Sequence, residues 1–456
     1  MAGTGKTTIA YSFSQILSEA KSLGGTFFAS HLRVDTSDVR CIIPTISLQL
    51  ARHFHSLSQL ILDVVETNPD CSSWTISKQF LNFIVGPLTT SYRNTGELIV
   101  VPVIVLDALD ECSNQSHVTE LLSVILKHST SLPVKFFITS RPEIKLKQCF
   151  DKSWAHSKFI LHEVEKDVVK ADIELYIRAC LLDGQSGLHR HDWPSQVELE
   201  KLVNLAGSLF IYAATVCKYI AERGVPSMPQ RLTDVVNVGS EPTFGVTQPL
   251  DVLYERILDA ACGSANPRER LAIGIVLQAV VYVYNPLSMV GISDLTQMPI
   301  EDVEAALSSL HSLIYIPSCE HVAKQISVLH ASFHDFISNH ALSSKHYLDP
   351  CDSHILLAHQ CFSLMDKEWL GRKDIPYLIE RRCENISEAL AYACSSWAAH
   401  FTNGESNNGL AELKHFFDTH LLRWMDCLSI LGKLATTMDS LHKLKSCTIV
   451  SNFVVN

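Results

Sequence analysis

The chain has 456 residues, room for about three domains at roughly 100–200 residues each. At 47% hydrophobic and 19% charged it can bury large cores, so a disordered chain is excluded. Lysine and arginine total 37 against 48 aspartates and glutamates, and the formal net charge of −11 argues against general binding to nucleic acid or to an anionic membrane.

The longest apolar runs, Leu205–Cys217 and Leu271–Tyr284, are interrupted by Ser208, Thr215 and Gln278. Both fall short of the roughly 20 residues that cross a bilayer and read as buried helices. No secretory leader follows Lys6, and the expected location is cytoplasmic. The 14 cysteines are spread out with no CxxC, so neither a zinc ribbon nor a thioredoxin motif is supported, and they read as buried structural thiols. His189, His191 and Asp192 read as a solvated loop.

The chain opens on Met1-Ala-Gly-Thr-Gly-Lys-Thr-Thr8, most of a Walker A loop, G-x-x-x-x-G-K-[ST]. Gly3, Thr4, Gly5, Lys6, Thr7 and Thr8 are therefore candidate nucleotide contacts. Glycines let backbone N–H groups curl around phosphate oxygens, Lys6 reaches the β- and γ-phosphates, and the Thr7 hydroxyl completes a Mg²⁺ shell. A helix follows with Ile9, Phe13, Ile16, Leu17 and Ala20 on one face, and its positive N-terminus lies under the phosphates. The motif's first glycine would stand one residue before Met1, and the strand that leads into such a loop is absent. The chain is expected to be truncated inside Walker A.

Gly25–Ala29 reads as a strand and Ile43 to Phe54 as a helix. Val101–Leu106 is a β-branched apolar run of the kind found in a buried parallel strand, and it ends in Asp107-Ala-Leu-Asp110-Glu111. This is a Walker B arrangement. Asp107 holds Mg²⁺ through water, and Asp110 or Glu111 orients or deprotonates the attacking water. Thr119 to Leu126 reads as a helix. Val134–Thr139 is the next strand and runs into Ser140-Arg141-Pro142, where Arg141 either senses the γ-phosphate or pairs with a Walker B carboxylate. Phe159–Leu161 is a candidate final strand. Strands alternating with helices predict an α/β fold with a parallel sheet.

From Glu165 the pattern turns helical, with Val168, Ile173, Tyr176, Ile177 and Cys180 on one face and a second helix from about Gln196 to Ile220. Gly224 to Pro249, rich in Gly, Pro, Ser and Thr, reads as a linker. Helices at Leu250–Ala261, Arg268–Val281, Pro286–Leu295 and Ile300–Leu313 precede short strands at Ile314–Ile316 and Gln325–Leu329. That order predicts a winged helix. Its would-be recognition helix carries Glu301, Asp302 and Glu304 and no Lys or Arg between Pro299 and Ile316, so no nucleic-acid partner is expected. The remainder from Tyr347 reads as helical, with Trp369, Tyr377, Tyr392, Trp397, Phe416 and Trp424 as aromatic anchors and no repeat array.

Met-Ala-Gly-Thr-Gly-Lys-Thr-Thr, Val-Leu-Asp-Ala-Leu-Asp-Glu-Cys and Phe-Phe-Ile-Thr-Ser-Arg-Pro together resemble the NACHT-type (STAND) signal-transduction ATPases. The likeness is to the fungal group with a nephrocystin-3-like N-terminal P-loop domain. It extends through Leu205–Thr215 and Leu329–Phe336. The resemblance implies a P-loop core at 1–163, a helical domain at 164–223, the linker at 224–249, a winged-helix domain at 250–345 that closes over the nucleotide, and an all-α region at 346–456. It implies that His330 touches the β-phosphate of bound ADP; as a bare sequence feature His330 reads equally as a satisfied core histidine. The implied function is an ATP/ADP switch with Mg²⁺, slow ATP hydrolysis at most, protein partners and, as an option, nucleotide-dependent homo-oligomerisation, as in fungal self/non-self recognition or innate immunity. No membrane partner is expected. A nucleotide-incompetent scaffold that uses its helical surfaces is the alternative. A small-molecule P-loop kinase is disfavoured, because no lid or acceptor motif is evident.

Overall fold

The computed structural model describes residues 3–31, 34–95, 101–141, 148–149, 166–182, 193–221, 227–238, 248–263, 265–316, 325–370, 386–404 and 410–446. Phe159–Leu161, His189, His191, Asp192 and Tyr377 lie outside them. The chain forms two compact units. One runs to Val169 and takes in Ser208–Phe210, and the other holds Lys170–Gly207 and the chain from Ile211 on. The sequence places this boundary at 163/164.

The first unit is built on a parallel sheet of β1 (Leu23–Phe28), β2 (Val103–Asp107) and β3 (Lys135–Ile138), in that order. Register runs Phe28↔Asp107 between the first two strands and Leu106↔Ile138 between the last two. Successive β2 side chains point to opposite faces. Val105 packs with Ala10 and Leu17 of the first helix, Lys6–Glu19. Ile104 and Leu106 join the larger core under helices Ile42–His53, His55–Thr67 and Gln115–His128. Burial on both faces explains why β2 reads as continuous Val-Ile-Val-Leu.

Of the expected stripe the first helix buries Leu17 and packs Phe13 against the same cluster, but Ile9 and Ile16 are exposed and Ala10 and Ser14 are buried instead. The small Ala10 and Ser14 side chains allow close approach to the sheet, and the Ser14 hydroxyl donates to the Ala10 carbonyl at 2.7 Å. Between β1 and β2 the sequence predicts no element over residues 55–95. There the chain forms His55–Thr67, Ile76–Phe80 and Gly86–Thr95, with a π-helical turn at Leu81–Val85 just before Pro87, which has no N–H to donate.

In the second unit two expectations are corrected. The helix predicted from Gln196 to Ile220 is two helices, Gln196–Ala206 and Phe210–Ala221, because Gly207 takes the left-handed φ of 59° that ends the first. The predicted linker contains a helix, Met228–Val238, with Met228, Leu232, Val235 and Val236 buried at helical spacing. Pro229 sits in its first turn, where a missing N–H costs nothing. Helix Lys166–Leu182 buries Ile173, Ile177 and Leu181, while Val168 and Tyr176 are exposed.

Helices Pro249–Gly263, Pro267–Tyr282, Met289–Thr296 and Ile300–Ser309 follow. Then come β4 (Ile314–Tyr315) and β5 (Ser327–Val328), an antiparallel pair to which Leu287 adds a bridge at Ile326. Ser288 caps the third helix by accepting the Gly291 N–H at 3.0 Å. Its own N–H and hydroxyl donate to the carboxylate of Glu388, the N–H at 3.1 Å. Glu388 opens helix Glu388–Asn403, which lies against helix Pro350–Leu370 and is followed by Leu410–Thr419, Leu421–Ile430 and Ala435–Ser446. Trp397 is the hub of this region, with ring centroids 4.6 Å from Phe416, 5.2 Å from Phe362 and 5.6 Å from Trp424. Among the described residues the cysteines are free, and no helix is long and apolar enough to cross a membrane.

Candidate functional site

The candidate site gathers at the C-terminal ends of the three parallel strands, where open α/β sheets place their ligand crevices. Gly3 and Gly5 hold φ of 77° and 85°, a region that penalises any side chain. Gly5 is the N-cap of the first helix, and its carbonyl accepts the Ile9 N–H at 3.0 Å. The turn thus exposes backbone N–H groups at a helix N-terminus, which is an anion-binding arrangement. Thr7 and Thr8 are exposed in its first turn, while Thr4 and Lys6 are half-buried. Burial and the charge of Arg141 push the Lys6 ammonium below its ordinary value, and the charges of Asp110, Asp107 and Glu111 oppose them.

Asp107 ends β2 fully buried. Its carboxylate accepts from the Thr139 hydroxyl and hydrogen-bonds the Thr7 side chain. Burial raises its pKa above the ordinary value and the two threonines oppose the rise. The Thr139 oxygen also accepts the Ala108 N–H at 3.0 Å. Ala108 has φ of 56°, so one hydroxyl supports both the carboxylate and the strained turn behind it.

The two remaining acids are held differently. Asp110 accepts the Arg141 N–H at 2.8 Å on Oδ1 and the Arg141 Nε–H at 3.0 Å on Oδ2, with only 5% of its side chain exposed. Of the two alternatives for Arg141, pairing with a Walker B carboxylate is the one this geometry displays. Glu111 Oε2 lies 3.3 Å from His31 Nδ1. Burial works to raise the Glu111 pKa, but the hydrogen bond and charge of His31 and the charge of Arg141 outweigh it and leave the group below its ordinary value.

His330 belongs to the second unit. It caps helix Ala331–Ile337 through Nδ1, which accepts the Ser332 N–H at 3.1 Å and lies 2.7 Å from the Ser332 hydroxyl. That hydroxyl is 2.9 Å from the Tyr254 hydroxyl.

His31 and Thr139 were not picked out from the sequence. Each stands just past the end of a strand that neighbours β2. The parallel register that carries Ala29 N–H to the Asp107 carbonyl at 3.0 Å brings them to the carboxylates. The signal available was position: polar side chains within three residues of the ends of β1 and β3.

A glycine-bent loop leading into a helix, facing a buried aspartate at the end of a parallel strand, is the architecture of a P-loop-like core. Comparison with known proteins agrees. Residues 1–141 match the family described as Nephrocystin 3, N-terminal. The chain is 23% identical over 388 residues to vegetative incompatibility protein HET-E-1 of Podospora anserina, a stretch covering 75% of this chain and 26% of that protein. The chain thus spans about a quarter of the length of that relative. Together the two likenesses support a fungal NACHT-like protein.

Proposed function

We propose that the chain is a NACHT-like molecular switch that binds ATP or ADP with Mg²⁺ at Gly3–Thr8 and hydrolyses ATP slowly, with conformational state as its output. The observation that carries this reading is the convergence of Lys6 and Thr7 on Asp107, Asp110 and Glu111. The residues fit a nucleoside phosphate with a hard cation. The loop glycines free backbone donors, Lys6 supplies a positive charge, and Thr7 and Asp107 offer oxygen ligands already in contact with each other. When bound, Mg²⁺ neutralises charge on the phosphate oxygens.

The chain's own residues then divide the work. Lys6 holds the β- and γ-phosphates, Thr7 and Asp107 hold the metal, and Thr139 fixes the Asp107 carboxylate. Glu111 takes the role of base ahead of Asp110, because both Asp110 oxygens are engaged by Arg141, whereas Glu111 meets an exposed imidazole. Arg141 senses the γ-phosphate only by leaving Asp110. In the second unit, residues 250–345 act as a winged helix that reports on nucleotide state. His330 Nδ1 is committed to the cap of helix Ala331–Ile337 within that unit. The acidic Glu301–Glu304 face supports packing rather than DNA binding. Protein partners and an incompatibility-type signalling role, which the name of the Podospora anserina relative supports for that protein, complete the proposal.

The test is equilibrium binding of ATP with and without Mg²⁺. Lys6→Ala should abolish binding and Asp107→Ala should remove its Mg²⁺ dependence. Unchanged affinity in both variants overturns the assignment.

A further inference from the structure

Three side chains of the C-terminal helices meet at a point that the nucleotide reading does not use. Asp366 lies near the end of helix Pro350–Leu370, His415 in helix Leu410–Thr419, and His420 at the break before helix Leu421–Ile430. In a continuous helix, positions five apart point about 140° away from each other. The break at His420, with φ of −120° and ψ of −7°, removes that conflict. His420 Nε2 comes to 2.5 Å and His415 Nε2 to 3.3 Å of the same Asp366 Oδ1. The two imidazole planes stand at 89°, so their nitrogens converge instead of stacking. One ligand atom from each of the three residues lies within 4.8 Å of the others.

As a purely hydrogen-bonded triad this is a poor arrangement. One carboxylate oxygen takes both imidazoles, and the buried His420 Nδ1 has no hydrogen-bond partner. As a ligand set it is a good one. Metal bonds of about 2.0–2.2 Å put the corners of a tetrahedron about 3.4 Å apart, inside the range observed. His420 is buried while His415 and Asp366 are partly exposed, so the point is rigid on one side and open to solvent on the other. A separate pair, His359 with Glu412 at 3.3 Å, ties the same two helices and fixes their facing.

We propose that Asp366, His415 and His420 form a binding site for a divalent transition metal of the Zn²⁺ class, with water in the fourth position. Two imidazoles and one carboxylate, without thiolate, favour Zn²⁺, Co²⁺, Ni²⁺ or Cu²⁺ over Mg²⁺ or Ca²⁺. The ion braces helix Pro350–Leu370 against the break between the two later helices. Its binding is of moderate strength. No acceptor among the described residues orients His420 through Nδ1, and lacking such a partner costs about 10–100-fold in affinity. The Trp369 ring, 5.2 Å from the His420 ring, steadies it by packing alone.

The experiment is titration of the chelator-stripped full chain, without nucleotide, with Zn²⁺ by calorimetry and with Co²⁺ by visible absorption. The same titrations on His415→Ala and Asp366→Asn supply the difference. Wild type should bind one more ion per chain than His415→Ala, with about micromolar affinity, and its melting temperature should rise with Zn²⁺ while the variant's does not. Circular dichroism of the metal-free proteins should coincide for wild type and His415→Ala. Because His415 is half exposed, that variant decides the matter even where Asp366→Asn folds poorly. Equal stoichiometry and affinity in wild type and His415→Ala, or a Co²⁺ spectrum carrying a thiolate charge-transfer band that survives in His415→Ala with no other loss, overturns the proposal.

Discussion

Replacing Thr139 by valine isolates the hydroxyl that stands behind Asp107. The change is close to isosteric, so packing is nearly preserved while two hydrogen bonds are lost. One is donated to a buried carboxylate and the other accepts the Ala108 N–H. A hydrogen bond to a charged group contributes about 1.5–3 kcal/mol, and a buried N–H left unpaired costs about 1–3 kcal/mol. The expected destabilisation of the first unit is therefore about 3–5 kcal/mol, a large share of the roughly 5–15 kcal/mol that holds a domain. For a unit of this size each kcal/mol moves the midpoint by about 2–4 °C, so calorimetry should show its transition falling by roughly 6–20 °C. Thr139→Ser keeps the hydroxyl and loses one methyl, and should cost only about 1 kcal/mol. A Thr139→Val chain that melts within about 2 °C of wild type would falsify the claim that this hydroxyl supports the Asp107 turn.

Three further outcomes are expected. Glu111→Gln should slow ATP hydrolysis by about 100-fold or more with little effect on ATP affinity, whereas Asp110→Asn should chiefly loosen Arg141 and lower stability; single-turnover rates that rank the two variants the other way exchange their roles. Asp107→Asn should leave the nucleotide-free chain at least as stable at neutral pH. Burial raises the Asp107 pKa, so its ionisation costs stability once pH passes the ordinary value of 3.8, and that cost is complete above the folded pKa. The same variant should lose the melting gain from ATP with Mg²⁺, and a metal-free deficit that grows with pH refutes the sign. Gly404→Ala should cost about 1–3 kcal/mol in a thermal melt, since its Cβ would lie 2.7 Å from the Ile355 side chain and 3.1 Å from the Ile355 nitrogen; an unchanged melt shows that the helix end yields freely.

The Walker segments were legible because each couples a short-range pattern to a strand end. Val101–Leu106 reads as a buried strand from composition alone, and the acids that follow it fall where the sheet's crevice must be. What stayed hidden depends on which neighbour a side chain meets. That Arg141 pairs with a Walker B carboxylate is one of the two sequence alternatives, but that its partner is Asp110, 31 residues away across two strand ends, is encoded by no local period. The buried face of the first helix is legible at Phe13 and Leu17 only, because hydrophobicity also favours Ile9 and Ile16, while close packing on the sheet favours the small Ala10 and Ser14. The helix at Met228–Val238 was obscured by the Gly, Pro and Ser around it, although Met228, Leu232 and Val235 carry a helical period. The break at Gly207 was available as a glycine inside an apolar run, but such a glycine is also tolerated in mid-helix, at about 1 kcal/mol.

The carboxylate of Glu388 that completes the cap at Ser288 has a consequence for the timing of synthesis. Exactness of sequence distance matters here: the two residues are 100 positions apart, so the N–H and hydroxyl of Ser288 emerge from the ribosome long before their acceptor exists. At about 5–20 residues per second the wait is roughly 5–20 s. During it the helix that starts at Met289 has its own cap, because Gly291 N–H reaches the Ser288 oxygen without help, but the Ser288 donors must rely on water. Gly291 is then an open notch, since the Glu388 carboxylate would lie 2.7 Å from any Cβ placed there. A nascent chain that stops before residue 388 presents that notch and those donors unfilled, so the contact made by Glu388 is a clasp that closes only after the helix it completes has been synthesised.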